Sequence, residues 1–89
     1  MYEFRWNEWN IEHASSHGVD VDEMEFVVNR ARRPWPRFEG DGKFKVRGQT
    51  EQGRYIQVIY IFSPDEVVYV IHARPLTERE KRQFRRRER

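Results

Sequence analysis

The hydrophobic period of this chain changes once, near Phe38, and no other feature constrains its fold as tightly. Upstream, Met24, Val27, Val28 and Ala31 recur at helical spacing and define one buried stripe. Downstream, Phe44 and Val46 alternate with Lys43, Lys45, Arg47 and Gln49, the period-two pattern of a strand. Helices first and strands after place the chain in the α+β class.

Local signals bound the elements. Tyr2, Phe4 and Trp6 alternate with Glu3 and Arg5 and predict a short first strand. Asn7 is placed to cap a helix running to about residue 17, with Gly18 at its C-terminal cap. Asp20-Val21-Asp22-Glu23 has capping-box spacing and opens a second helix, which Pro34 and Pro36 end. The run from Phe38 to Gln49 reads as one strand, closed by a hairpin connection at Glu51-Gln52-Gly53. Arg54–Phe62 and Val67–Arg74 are two more, joined by a turn at Ser63-Pro64-Asp65-Glu66, and their apolar middles suit central members of a sheet. Thr77-Glu78-Arg79-Glu80 repeats the capping box and starts a basic C-terminal helix, held by Leu76 and Phe84 and otherwise solvated. The expected architecture is two N-terminal helices packed on an antiparallel sheet, followed by that helix. Val27, Val28, Ile56 and Val58 should share its core.

At 89 residues, 37% of them hydrophobic and 36% charged, the chain is one domain, 1–89, with a thin core. Three Trp, six Phe and four Tyr compensate, since each ring buries more area than an aliphatic side chain. Residues 82–89 also suit a mobile basic tail. Without cysteine, a disulfide framework and a Cys-based zinc site are excluded. The apolar stretches are strand-sized, and no apolar run follows a basic start in residues 1–12. A cytoplasmic protein that does not enter membranes is expected.

Charge is distributed unevenly around a net value of only +2. Residues 1–29 hold seven acids and one base, whereas residues 30–50 hold seven bases and two acids. Residues 77–89 again hold seven bases, against three acids. Either a nucleic acid or another anionic partner meets the basic side, or acidic helices neutralise basic strands. Strict alternation assigns the strand faces. Phe44, Val46, Ile56, Val58, Tyr60, Val67, Tyr69 and Ile71 suit the side covered by helices. Lys45, Arg47, Gln57, Ile59, Val70, His72 and Arg74 are left on an uncovered outer side. Cations beside apolar surface are what single-stranded RNA requires, phosphates taking the first and bases the second.

Three segments, in order, carry a family resemblance: WNEWNIEHASSHGVDVDEMEFVV at Trp6–Val28, VRGQTEQGRYIQVIYIF at Val46–Phe62, and VVYVIHARPLTEREKRQFRR at Val67–Arg86. The first looks like the Trp-Asp…Asn…His…His-Gly-Val…Glu-Glu signature of the BrnT family of bacterial toxins. The second is similar to its Gly-x-Thr-x-x-Gly-Arg hairpin, and the third to its closing Ala-Arg-x-x-Thr-x-x-Glu-[Lys/Arg] segment. The resemblance covers nearly the whole chain. It implies a RelE-like fold and a ribonuclease activity that arrests translation. It also implies a ribbon-helix-helix antitoxin of the BrnA type, which would block the toxin, repress their operon and form a heterotetramer with it. The chain departs from the pattern at Asn7, Asn10, His72 and Phe84, where the family carries Asp, Lys, Ser or Thr, and Tyr.

RNA cleavage without a metal or other cofactor needs a base for the 2′-OH, cations at the phosphorane and an acid for the leaving 5′-oxygen. Arg74 matches a phosphate bidentately, or forms a salt bridge to a helix acid; the family motif favours the first. Glu80 is either the base or the cap of the helix begun at Thr77. His72 is either an acid or base near neutral pH or a strand histidine without a catalytic role. Lys45, Arg47, Arg54, Lys81 and Arg82 are candidate RNA contacts, with Arg85, Arg86 and Arg87 extending the basic helix. His13 and His17 have the spacing of a metal-binding pair, but no third ligand is placed beside them, and no metal is expected. Trp6, Trp9 and Trp35 suit the core or a partner interface better than base stacking. A non-catalytic RNA- or protein-binding module is the alternative to a ribonuclease.

Overall fold

The structure is a computed structural model that describes residues 1–87, with side chains for residues 1–86. Helices α1 (Glu8–Ser15) and α2 (Val21–Asn29) precede strands β1 (Arg37–Gly40), β2 (Lys43–Gln49), β3 (Tyr55–Phe62) and β4 (Val68–Pro75), and α3 (Glu78–Arg87) follows them. The strands form one antiparallel sheet in the order β1-β2-β3-β4. This is an α+β fold. No helix among the described residues is long and apolar enough to cross a membrane.

The caps form where the side chains permit them. Asn7 Oδ1 accepts from the Asn10 amide at 3.0 Å, and Asn10 Oδ1 accepts from the Asn7 amide at 2.7 Å. The fully buried Asn10 also donates to the carbonyls of Arg5 and Val70, which ties α1 to β4. The helix ends at Ser15, earlier than expected, and Gly18 makes the reversal with φ +78. Glu23 accepts from the Asp20 amide at the start of α2. That helix stops at Asn29, ahead of the prolines expected to end it: the Arg30 N–H still reaches the Phe26 carbonyl, but the Ala31 N–H turns to Val28, a tighter i→i−3 closure of the last turn.

Ala14, Val19, Met24, Val27 and Val28 from the helical half meet Val46, Ile56, Val58, Tyr60, Val68, Val70 and Ala73 in one buried cluster. The four residues expected to share a core do so. Leu76 and Phe84 are buried as expected, with the Phe84 ring edge-on to Tyr55 at 5.8 Å.

Three expectations are corrected. The segment Tyr2–Trp6 is not a strand; it makes a single parallel bridge, Phe4 to Val68, beside β4. The run from Phe38 is two strands, split by Gly40-Asp41-Gly42, all three at positive φ. The two glycines adopt that region without a steric penalty, so a tight reversal forms where alternation suggested continuity. The face assignment on β4 is inverted for its first half. Ile59 pairs with His72 but Tyr60 pairs with Val70, so Ile71 is an extra residue. Strict alternation cannot be carried across such a bulge. Val68 and Val70 therefore face the core, and Tyr69 joins His72 and Arg74 outside.

The Gly-x-Thr-x-x-Gly-Arg stretch is accounted for structurally. A Cβ on Gly48 would lie 2.9 Å from Val27 Cγ1, so glycine is what lets α2 approach β2. Thr50 Oγ1 accepts from the Arg54 amide, and Gly53 turns the hairpin with φ +95.

Candidate functional site

Strand register decides which polar side chains meet. Arg47 pairs with Gln57 and Gln57 with Arg74, so these three form one row across β2, β3 and β4. Lys45, Ile59 and His72 form the next row on the same outer face. Neighbouring strands lie about 4.8 Å apart, so the two arginine Cα atoms are roughly 10 Å apart, near enough for their long side chains to converge.

Two acceptors hold them together. Gln57 Oε1, on a residue only 7% exposed, accepts from Arg47 Nε at 3.0 Å and Arg74 Nη2 at 3.4 Å. Glu80, in the first turn of α3, takes Arg74 bidentately at 2.7 and 2.8 Å and Arg47 at 3.0 Å. The same carboxylate accepts from the Thr77 amide at 2.8 Å, while the Glu80 amide donates to Thr77 Oγ1. Glu80, read from sequence as either a base or a cap, thus caps α3 and pairs with both arginines. The outer face is consequently not uncovered throughout, because α3 closes over this end of it.

Ion pairing with Arg74 and Arg47, helped by the Thr77 amide, pulls the Glu80 carboxyl down from its ordinary value near 4.5 to about 2. A carboxylate so stabilised is a poor proton acceptor at neutral pH. Between pH 4.5 and 2 the unfolded chain binds the proton more readily than the folded one, so stability falls as pH falls through that window. Glu80→Gln is expected to lower the melting temperature at pH 7 and to flatten this acid limb. Thermal unfolding by circular dichroism from pH 7 to 2 checks it; an unchanged acid limb would mean that the ion pair is energetically idle.

His72 is half-buried, and burial, then the nearby His17 and Arg74, hold its imidazole below the ordinary histidine value. It is therefore neutral at pH 7. The His17 ring lies edge-on to it with centroids 5.3 Å apart. Lys45, in the same row, pairs with Glu39 at 3.4 Å.

The remaining sequence candidates lie elsewhere. Arg54 pairs with Glu23 at 2.9 Å and donates to the Gly18 carbonyl, fastening the β2–β3 hairpin to the start of α2 rather than joining the outer face. Lys81 pairs with Glu78 on α3, and Arg82 is exposed there. Arg85 stacks over the Tyr55 ring at 5.5 Å. The helix continues through Arg87; residues 88 and 89, the end of the expected basic tail, lie outside the described residues. His13 and His17 are separated by the end of α1, and the His13 ring stacks on Trp9 instead. Trp35 is buried with the Arg47 guanidinium 5.7 Å from its ring, Trp6 is half-buried, and Trp9 is exposed. Gln57 escaped notice as a site residue, since an amide carries no charge signal and only the register places it between two arginines. Arg30, Arg32 and Arg33 were visible as a basic run, but not as the wall of a cleft.

No family model, curated protein or solved structure matches the chain.

Proposed function

We propose that this chain is a metal-independent endoribonuclease, the toxin half of a toxin–antitoxin pair of the BrnT type, with a RelE-like fold and a cytoplasmic site of action. The observation that carries the reading is the juxtaposition of a neutral imidazole, His72, with two arginines locked in one plane of the sheet. His72 takes the proton of a 2′-OH, and Arg74 and Arg47 offset the charge that develops as the 2′-oxygen attacks phosphorus. The bond from phosphorus to the 5′-oxygen breaks, and the proton held by His72 passes to that leaving oxygen. The products are a 2′,3′-cyclic phosphate and a 5′-hydroxyl. Glu80 is a positioning residue in this scheme rather than the base. Lys45 supplies a further cation one row along.

The exposed aromatic and basic surface suits a folded partner, here a ribbon-helix-helix antitoxin of the BrnA type assembling as a heterotetramer. Such binding raises apparent stability by mass action. A non-catalytic RNA- or protein-binding module of the same fold is the second reading, favoured by one observation: the Arg74 guanidinium is already engaged by Glu80.

The test is inducible expression scored for growth arrest, with purified chain incubated with RNA in a chelator. Cleavage should persist without metal and should rise with pH to a plateau whose midpoint lies below the ordinary histidine value of 6.5. RNA binding without cleavage would install the second reading. A co-expressed partner that leaves the melting temperature unmoved would remove the antitoxin from the scheme.

A further inference from the structure

A cleft of about 550 Å³ opens between the C-terminal end of α2, the segment after it and the edge of β2. β1 runs alongside β2 only as far as Lys45, so the β2 edge at Arg47–Gln49 faces this space. Arg30, Arg32, Arg33 and Arg47 all line it, and no acidic residue does. The first three are exposed side chains within four positions of one another. Like charges so concentrated repel, and an anion seated among them relieves that repulsion. The walls also carry aromatic rings: Arg30 lies over Phe26 at 4.7 Å, and Trp35 lies beneath Arg47. Cations combined with flat rings are the chemistry that holds single-stranded nucleic acid. The volume falls in the range typical of small-ligand pockets. Arg47 belongs both to this cleft and to the Arg47–Gln57–Arg74 row, so the two are continuous.

We propose that the cleft seats a nucleotide of single-stranded RNA flanking the reactive one, its phosphate on Arg30, Arg32 and Arg33 and its base against the Phe26 and Trp35 wall. The assignment deepens the ribonuclease reading and rests on it for the identity of the ligand. It makes the cleft a substrate-binding element that acts on affinity, apart from the chemistry at His72 and Arg74.

The test uses the purified chain and its Arg30→Gln/Arg32→Gln/Arg33→Gln variant. Binding of a short fluorescent 2′-O-methyl RNA, which cannot be cleaved, is measured over a range of salt. The triple variant is expected to bind at least about tenfold more weakly, with a salt slope reduced by about 0.7, the value for one lost single-strand phosphate contact. On ribose RNA its KM should rise by a similar factor while kcat stays within about twofold, because no transition-state contact is removed. Its circular dichroism should match the parent, since all three side chains are exposed. A triple variant with the parental affinity and slope overturns the cleft assignment, even where the parent cleaves RNA. A parent that binds RNA through these arginines and never cleaves it leaves the cleft standing and overturns the ribonuclease reading. A parent that does not bind RNA overturns both.

Discussion

Arg74→Ala is expected to reduce RNA cleavage by about two orders of magnitude or more, the usual effect of removing a preorganised cation from a developing negative charge. The variant should still fold. Glu80 retains Arg47 and the Thr77 amide when Arg74 is lost, so its carboxylate is not left unpaired. The Arg74 side chain is 30% exposed, and a partly solvated ion pair of this kind contributes about 1 kcal/mol or less to stability. Arg74→Lys separates charge from shape. An ammonium keeps the cation but cannot reproduce the planar fork that meets both Glu80 oxygens, so its rate should fall between parent and alanine variant. Single-turnover rates with saturating RNA, beside a circular dichroism spectrum, give the answer. Parental rates in a folded alanine variant would place the chemistry away from β4.

Gly48→Ala is expected to destabilise the fold by about 1–3 kcal/mol, the range for an extra methyl forced into a packed core. For a chain of this length that shifts the melting temperature by roughly 4–8 °C per kcal/mol. The cause is specific: the new methyl would sit 2.9 Å from Val27 Cγ1, and both β2 and α2 are fixed by other contacts. Val27→Ala removes the obstructing atom. In the Gly48→Ala background it should therefore cost less than it does alone, with a coupling of about 0.5–3 kcal/mol in a double-mutant cycle. Strict additivity would show that Val27 is not what the methyl meets. Because Arg47 neighbours Gly48 on β2, any shift of the strand should also lower RNA affinity.

Much of the architecture was legible because it rests on interactions within a few residues. Asn7 caps its helix as expected, and Asp20 with Glu23 and Thr77 with Glu80, each three apart, meet at their helix starts as that spacing implies. The period of Met24, Val27 and Val28 put the right stripe in the core. The end of β4 was also legible: Arg74 and His72 share an outer face with Lys45 and Arg47. The resemblance supplied the ribonuclease reading, which neither alternation nor charge could reach.

Tertiary structure decided what depends on residues far apart in sequence. The bulge at Ile71 is a mismatch between β3 and β4, and alternation along one strand carries no trace of it. Arg54 looked like an RNA contact until the fold set it against Glu23, 31 positions away. Glu80 and Arg47 are 33 positions apart, so only the closing of α3 over the sheet could reveal that one carboxylate both caps a helix and clamps two arginines. The basic run at Arg30–Arg33 was plain as charge, but became a cleft only when β1 stopped short along β2. Periodicity and capping are local properties of the chain, so the sequence by itself determined the three helices and most strand-forming stretches, though not the reversal at Gly40–Gly42 or the facing of the first half of β4. Ion-pair partners, strand register and concavity are properties of packed surfaces, and those the folded arrangement alone decided.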